Sequence, residues 1–588
     1  MTSKMKAIVS LLALVCLFQL TTGGLMPAKK TQRNVKPMSA VEGDAMRSYS
    51  ERQKRMNGLW SSASCDLCVL ITQQVQDWIR KSASEEEIVK EAIRMCIFFK
   101  IQDARVCSMI VPLHKDEILY VVANLALDPK EACGIILGEK CGTPYFPGTM
   151  WNVTFPDTPK PAPKPPTPPQ PSSPTVRFLH LTDIHIDFDY REGASPNCGE
   201  PLCCRAGDLF NDTLKAGKYG DQHSCDAPMS LVLSLFSHLN TIQDQFDYII
   251  MTGDIPAHDV WNQTRSDQIA HLVALDKLFS NYLPTKPVYY CIGNHESSPV
   301  NSFPPPTIPI QNIDWLYGAM ANMWGKWLPL SALDTVLRCG GYSISPYPGF
   351  RIISINNNYC NKGNWWLLLN ETDPCDVLQW LIQELQTAED KGEKVHMLLH
   401  IPPGEGTCLK AWSYNYFNIV NRYENTIVNQ FYGHSHHDWF QMYYDNVTFM
   451  RPLGFGFIAP SVTPGSNINP IYRIYTMDGN YADSSWAVLD FNSFYLNITD
   501  TNKSGNPVWK FEYSPKMLYN MTGLYAQDWD NLIKRMEADD QILEIFNLHK
   551  NNLHPTGPCT GECRTDLLCS LIEGRSYDPD LCKHHLRH

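Results

Sequence analysis

Five apolar stretches of this 588-residue chain each end on residues able to bind a cation, and that repetition narrows what the chain can fold into. Arg177-Phe178-Leu179-His180-Leu181-Thr182 runs into Asp183-Ile184-His185, and Tyr248-Ile249-Ile250-Met251-Thr252 into Gly253-Asp254. Val288-Tyr289-Tyr290-Cys291-Ile292 runs into Gly293-Asn294-His295-Glu296, Val395-His396-Met397-Leu398-Leu399 into His400, and Gln430-Phe431-Tyr432 into Gly433-His434-Ser435-His436. Short apolar runs bounded by turn residues read as buried strands, and chemically loaded loops on rigid strand ends are where catalysis concentrates. Side chains at i and i+2 of a strand share a face, so Asp183 with His185, and His434 with His436, are expected to converge in pairs. Taken singly, each residue has an ordinary reading: Asp183 or Asp254 as a helix N-cap, His185 or His434 as a hydrogen-bonded core histidine, His400 as a loop residue ahead of Pro402. Taken together, Asp183, His185, Asp254, Asn294, His400, His434 and His436 are enough ligands for two metal ions. Imidazole mixed with carboxylate suits Zn, Fe or Mn alike.

The ordered set Asp-x-His, Gly-Asp, Gly-Asn-His-Glu, His and Gly-His-x-His resembles the signature of the calcineurin-like metallophosphoesterases. Narrower stretches are similar to the acid sphingomyelinases: Leu181-Thr182-Asp183-Ile184-His185, Gly253 through Asp259, Gly293 through Asn301, and His400-Ile401-Pro402-Pro403-Gly404. The resemblance runs from about residue 60 to the C-terminus. It implies an α/β fold, a sandwich of two mixed β-sheets flanked by helices with the metals at one edge. It also implies two zinc ions. Asp183, His185 and His436 would hold one, Asn294, His400 and His434 the other, and Asp254 would bridge both.

The implied reaction is hydrolysis of sphingomyelin to ceramide and phosphocholine, a metal-bound hydroxide attacking phosphorus while an acid protonates the departing alkoxide. His295 is placed as that acid. His258, four residues after Asp254, is placed to hold a phosphate oxygen or assist. Histidine with its ordinary pKa near 6.5 is protonated in an acidic lumen, which suits both roles. One rival is a secreted phosphodiesterase acting on nucleotides or other soluble phosphodiesters. Another is a lipid-binding protein with an inert catalytic domain, against which the intact ligand set speaks.

In chain order, Lys4 and Lys6 precede an apolar run ending near Leu20, a pattern expected for a secretory signal peptide over residues 1–23. Residues 24–59 form a basic, polar tail. Residues 60–144 carry Cys65-x-x-Cys68, Cys96, Cys107, Cys133 and Cys141 between helix-like faces such as Ile88, Ala92 and Cys96. No second close Cys or His pair supports zinc there, and a secretory compartment favours disulfides, for which six cysteines allow fifteen connectivities. The pattern is similar to saposin B-type domains, which implies Cys65 with Cys141, Cys68 with Cys133, Cys96 with Cys107, and contact with lipid. Residues 145–174 form a linker; ten of the nineteen residues from Pro156 to Pro174 are proline, which predicts an extended, semi-rigid spacer. Residues 175–525 are the catalytic domain, within which Gln379 to Leu385 reads as an amphipathic helix, and 526–588 a helical, disulfide-bonded C-terminal region.

Of twenty cysteines, Cys16 leaves with the signal peptide. The family pattern implies Cys198 with Cys203, Cys204 with Cys225, Cys360 with Cys408, Cys559 with Cys563 and Cys569 with Cys582, leaving Cys291, Cys339 and Cys375 unassigned. Sequons at Asn152, Asn211, Asn262, Asn370, Asn446, Asn497, Asn502 and Asn520 fit a glycoprotein, secreted or in the lysosomal lumen. The expected partner is sphingomyelin in membranes or lipoproteins, reached by peripheral contact through the saposin-like domain, with the protein a monomer and no nucleic acid involved. A formal charge of −12 that the histidines other than His185, His400, His434 and His436 can offset on acidification agrees with docking on an anionic surface at low pH.

Overall fold

The computed structural model describes residues 84–585 except for 99–100, 126–127, 138–140, 142–150, 208–213 and 577, with scattered positions between 65 and 83. The signal peptide and basic tail therefore lie outside the described residues, as do Cys68 and the sequon at Asn211. The chain divides into two compact units, one taking in residues up to Met150 with the short pieces 199–201 and 365–370, the other the remainder from Trp151.

The first unit is helical: α1 (Glu85–Phe98), α2 (Ala104–Leu113), α3 (Lys115–Asn124) and α4 (Pro129–Leu137). Asp103 caps α2 by accepting from the Val106 amide at 2.9 Å. The expected face is buried at Ile88, Ala92 and Cys96, and again at Ile118 and Val122. Disulfides join Cys65 to Cys141 and Cys96 to Cys107. Cys133 is also disulfide-bonded.

The second unit contains twelve main strands: β1 (Thr175–Leu181), β2 (Tyr248–Met251), β3 (Val288–Tyr290), β4 (Tyr342–Tyr347), β5 (Phe350–Ser354), β6 (Lys394–Leu398), β7 (Ile427–Tyr432), β8 (Trp439–Tyr444), β9 (Pro452–Ile458), β10 (Ile471–Asp478), β11 (Val488–Tyr495) and β12 (Lys510–Tyr513). They form two six-stranded sheets, ordered β12-β11-β10-β1-β2-β3 and β8-β9-β7-β6-β5-β4. Both are mixed: β1, β2 and β3 run parallel, as do β5, β6, β7 and β9, while the outer strands run antiparallel. Because β1, β2 and β3 share a direction, and β6 and β7 another, each sheet delivers its loaded loops at one end.

The sheets meet through aromatic rings. Phe178 of β1 stacks on Tyr475 of β10 at 5.0 Å and meets Phe431 of β7 edge-on at 5.3 Å. Such pairs add roughly 0.5 to 1.5 kcal/mol each beyond the area they bury. On the outer faces lie α5 (Met229–Thr241), α6 (Arg265–Tyr282), α7 (Val377–Lys391), α8 (Lys410–Arg422), α9 (Ala526–Ala538), α10 (Asp540–Lys550), α11 (Glu562–Ile572) and α12 (Pro579–His585). The helix expected at Gln379 to Leu385 is part of α7, which packs on β5 and β6. Trp529, Leu532, Ile533 and Met536 of α9 bury the stripe that packs on β8 and β9.

From Trp151 onward the linker is tied down, which the expectation of a semi-rigid spacer did not include. Its backbone is held by amide side chains of the second unit: Asn415 bonds Val153 N and Trp151 O at 2.9 and 2.8 Å, and Gln379 bonds both N and O of Thr154. Asn425 bonds Lys164 N and Ala162 O at 2.9 Å each. Proline has no N–H, so the few donors between prolines are the points where a strap can be tied. All five implied disulfides of the second unit are present, together with Cys339–Cys375; among the described residues Cys291 is a free, buried thiol.

Candidate metal centre

Every loaded strand tip arrives at one site, but not by the alternation of a strand. Asp183, His185, Asp254, His434 and His436 all have positive φ (47°, 44°, 59°, 71° and 63°), so the chain has left the pleat before each of these side chains is aimed. That is the left-handed region, costly for residues with a Cβ and concentrated at functional sites. The turns are correspondingly tight. A Cβ on Gly433 would stand 2.1 Å from Thr182 Oγ1, and one on Gly253 (φ 97°) 2.3 Å from the Gly293 nitrogen.

Backbone bonds tie the loops together. Asp183 N donates to Gly253 O at 3.0 Å, His185 N to Asp254 O at 3.2 Å and Gly433 N to His400 O at 3.0 Å. The Glu296 carboxylate accepts from Gly293 N (2.6 Å), Ile255 N (2.7 Å) and Asp254 N (3.2 Å), locking the second and third tips to each other. Asn357 Oδ1 accepts from His400 N at 3.1 Å and Ile401 N at 3.2 Å.

Two clusters of inward atoms result. Asp183, His185 and His436 form one, with His185 Nε2 3.2 Å from His436 Nε2 and His436 Nε2 3.5 Å from Asp183 Oδ1. Asp254, His400 and His434 form the other, and Asn294 Oδ1 joins it at 3.0 Å from His400 Nε2 and 2.9 Å from His434 Nδ1. Asp254 Oδ2 lies between them, 3.7 Å from His185 Nε2 and 3.1 Å from His400 Nε2. Asp183, His185, Asp254, Asn294 and His400 are fully buried or nearly so.

The donor set fits cations, and tautomers say why. His185 Nδ1 contacts Pro256 O and His400 Nδ1 contacts Thr252 O, both at 2.7 Å. A carbonyl oxygen only accepts, so each Nδ1 carries the proton and each Nε2 turns a lone pair inward, toward other lone pairs and carboxylate oxygens. Such a cluster is repulsive unless a positive charge sits in it.

His258 and His295 stand beside the first cluster, their rings 4.6 Å apart and the His258 ring 3.8 Å from that of His185. They differ in support. His258 receives Asp226, whose carboxylate contacts its Nδ1 at 2.8 Å and its backbone N at 2.6 Å, leaving Nε2 buried without a protein partner. Burial works against protonation of His258, but the Asp226 charge outweighs it and moves the pKa up. Burial pushes His295 down to about 4, and its Nδ1 has no partner. Asp226 had no signal in the sequence beyond following Cys225, whose disulfide to Cys204 fixes that loop. The loop also supplies Arg205, which joins Asp187 at 2.8 Å and Asp259 at 2.6 Å, each next to a stretch that carries a site histidine.

Comparison with known proteins places this geometry. The family model described as calcineurin-like phosphoesterase matches residues 176–438, and that of the acid sphingomyelin phosphodiesterase C-terminal region matches residues 451–585. A sphingomyelin phosphodiesterase of Homo sapiens is 45% identical over 531 residues, covering 89% of this chain and 83% of that protein. The chain belongs to the acid sphingomyelinase family. Within it, sphingomyelin phosphodiesterase 2 of Caenorhabditis elegans is 37% identical, covering 89% of this chain and 88% of its own. A cyclic GMP-AMP phosphodiesterase of Mus musculus is 28% identical and covers 70% of this chain and 92% of its own. The acid sphingomyelinase C-terminal match includes β9 to β12, so those strands complete both sheets of the catalytic sandwich. No helix among the described residues is long and apolar enough to cross a membrane.

Of the sequons, Asn152, Asn262, Asn370, Asn446 and Asn520 are exposed. Asn497 caps the helix Ile498–Ser504, accepting from Asp500 N at 2.9 Å. Asn502 is engaged on both ends of its carboxamide, with Tyr219 N and Gly220 O at 2.9 Å, so a sugar there would displace a packed contact.

Proposed function

We propose that the protein is a zinc-dependent phosphodiesterase that hydrolyses sphingomyelin of membranes or lipoproteins to ceramide and phosphocholine, in the lysosomal lumen or outside the cell. The observation that carries the reading is the pair of lone-pair clusters sharing Asp254. Asp183, His185 and His436 would hold one ion, Asn294, His400 and His434 the other, with Asp254 bridging. Two ions so held would supply a hydroxide from water and would neutralise charge on the phosphoryl oxygens. The chain's own part is to orient the diester and to hand a proton to the leaving alkoxide. The expected acid, His295, has its pKa held by burial at about 4, below the ordinary value near 6.5 that its role assumed. His258 is moved up by Asp226 and is the better supplied with a proton, so the two are assigned that work jointly. His258, oriented by Asp226, keeps its Nε2 facing the site. His295 lies 4.9 Å, ring to ring, from His185 at the same edge.

The substrate rests on the relatives' names. Lipid contact through residues 60–144 is supported by Phe98, 62% exposed at the end of α1, and by the half-exposed Ile97 before it. Eight disulfides among the described residues agree with an oxidising compartment. The alternative, action on nucleotides or other soluble phosphodiesters, is favoured by the mouse relative. Purified protein incubated with sphingomyelin vesicles and with a nucleotide phosphodiester, each with and without chelator, separates the readings. Chelator-sensitive release of phosphocholine with slow nucleotide turnover is expected. Turnover of the nucleotide alone would overturn the substrate, and chelator-insensitive turnover the metal centre.

A further inference from the structure

Each of the four candidate imidazole ligands needs its proton on the outer nitrogen, and among the described residues two of them find a backbone carbonyl there, while the buried His436 Nδ1 finds no protein partner. His185 uses Pro256 O and His400 uses Thr252 O. His434 is different in orientation. Its Nδ1 faces the cluster, 2.9 Å from Asn294 Oδ1, and its Nε2 faces outward. There the nearest acidic group is Glu405, with Oε2 3.9 Å from Nε2, the two side chains only 21% and 7% exposed. Glu405 is thus behind the candidate ligand, on the side of the ring opposite the cluster, and is not itself part of the cluster.

The loop that presents Glu405 is built rather than loose. Glu405 N donates to Pro402 O and Cys408 N to Glu405 O, each at 3.0 Å. Gly404 N donates to Gln441 Oε1 at 2.9 Å, and a Cβ on Gly404 would be 2.0 Å from Glu573 O, so the chain passes there with no room for a side chain. Lys362 N donates to Thr407 O at 2.9 Å, and the Cys360–Cys408 disulfide pins the far side. Thr407 Oγ1 reaches the same Glu405 oxygen at 3.4 Å. Burial raises the Glu405 carboxyl to about 7 against the opposing Thr407 hydroxyl and Lys550 ammonium, so a chelator series is run above that pH, where Glu405 is a carboxylate.

A neutral imidazole has one N–H to place. If it sits on Nδ1, it bonds Asn294 Oδ1 and closes the cluster against an ion. If it sits on Nε2, toward a carboxylate, the Nδ1 lone pair is free to bind. We propose that Glu405 is the positioning residue for His434, selecting the tautomer that binds metal and raising the basicity of that one ligand. A 3.9 Å separation is longer than a hydrogen bond, so the carboxylate acts through its field or through a bridging water. Outer partners of this kind typically change metal affinity by about 10- to 100-fold.

The inference rests on the two-ion reading above, and the test keeps the two apart. Zinc-loaded wild type, Glu405→Ala and Glu405→Gln are challenged with graded chelator, and zinc remaining per chain is measured beside the thermal midpoint. Wild type is expected to release its two ions at well-separated chelator activities. In Glu405→Ala one ion should leave at about 10- to 100-fold lower chelator activity while the other keeps its wild-type value. Glu405→Gln, which can still accept Nε2–H but carries no charge, should fall between them. Release curves identical to wild type in both variants would overturn the proposal while leaving the two-ion centre standing. Loss of both ions together with a lowered thermal midpoint would overturn it too, by making Glu405 a structural residue of its loop. A wild type that holds no second ion would instead remove the reading on which the proposal depends.

Discussion

The middle of the sandwich and the rim that carries the candidate metal centre are made of opposite materials. Between the sheets, Phe178, Phe431, Phe457 and Tyr475 interlock on regular strands. At the rim, five residues with a Cβ sit at positive φ, and buried oxygen and nitrogen lone pairs face one another. The core holds the fold, and the rim is a strained, polar arrangement that the core keeps in place. Changes at the rim should therefore remove function and spare stability, and changes in the core should do the reverse.

The largest effect expected is at Asp254→Ala. It should reduce turnover of every phosphodiester to background, because one carboxylate serves both clusters, while the thermal midpoint of the chelator-treated protein stays within a few degrees of wild type. Near-normal turnover with both ions retained would break the shared-bridge geometry. Phe178→Ala is the mirror image: a loss of about 3 to 5 kcal/mol of stability in denaturant titration, with turnover per folded molecule kept.

His396 tests the core by pH. It is buried among Phe178, Phe350 and Phe431 with Nε2 against Trp486 O at 2.8 Å, and burial pushes its pKa down to about 4. Its folded pKa lies below the unfolded value near 6.5, so the stability it contributes is complete above about pH 6.5 and is lost as the pH falls toward 4. The loss is on the order of 3 kcal/mol. His396→Gln should flatten stability between pH 6.5 and 4; an unchanged pH slope would show that other groups dominate acid sensitivity. The smallest effect is expected at the strap, where Asn425→Ala leaves Lys164 N and Ala162 O to water at a cost of about 1 kcal/mol. Faster proteolytic cutting between residues 158 and 170, at unchanged turnover, is the readout.

The same contrast separates what could be read in the sequence from what could not. Strand tips, ligand types and their order were legible because each lies next to its own apolar run. The α7 helix was legible because periodicity is local. The aim of the ligands was misread: alternation in a strand predicts convergence of Asp183 with His185, whereas φ of 47° and 44° achieves it. Asp226, Arg205 and Glu405 were not legible as site residues, because their importance comes from long-range contacts with His258, Asp259 and His434. Glu405 left a faint mark in being flanked by Gly404 and Gly406. The proline stretch reads as a spacer from composition alone, since Asn415, Gln379 and Asn425 lie more than two hundred residues away. Cys339 and Cys375 found each other only in the fold.

The central claim is that the five strand tips hold two adjacent ions, and anomalous scattering at the zinc edge from crystals of the purified protein tests it most directly. Two peaks about 3.5 to 4 Å apart are expected. One should lie among Asp183, His185 and His436, the other among Asn294, His400 and His434, with Asp254 touching both. A single peak, or two peaks too far apart for Asp254 to bridge, would contradict the account.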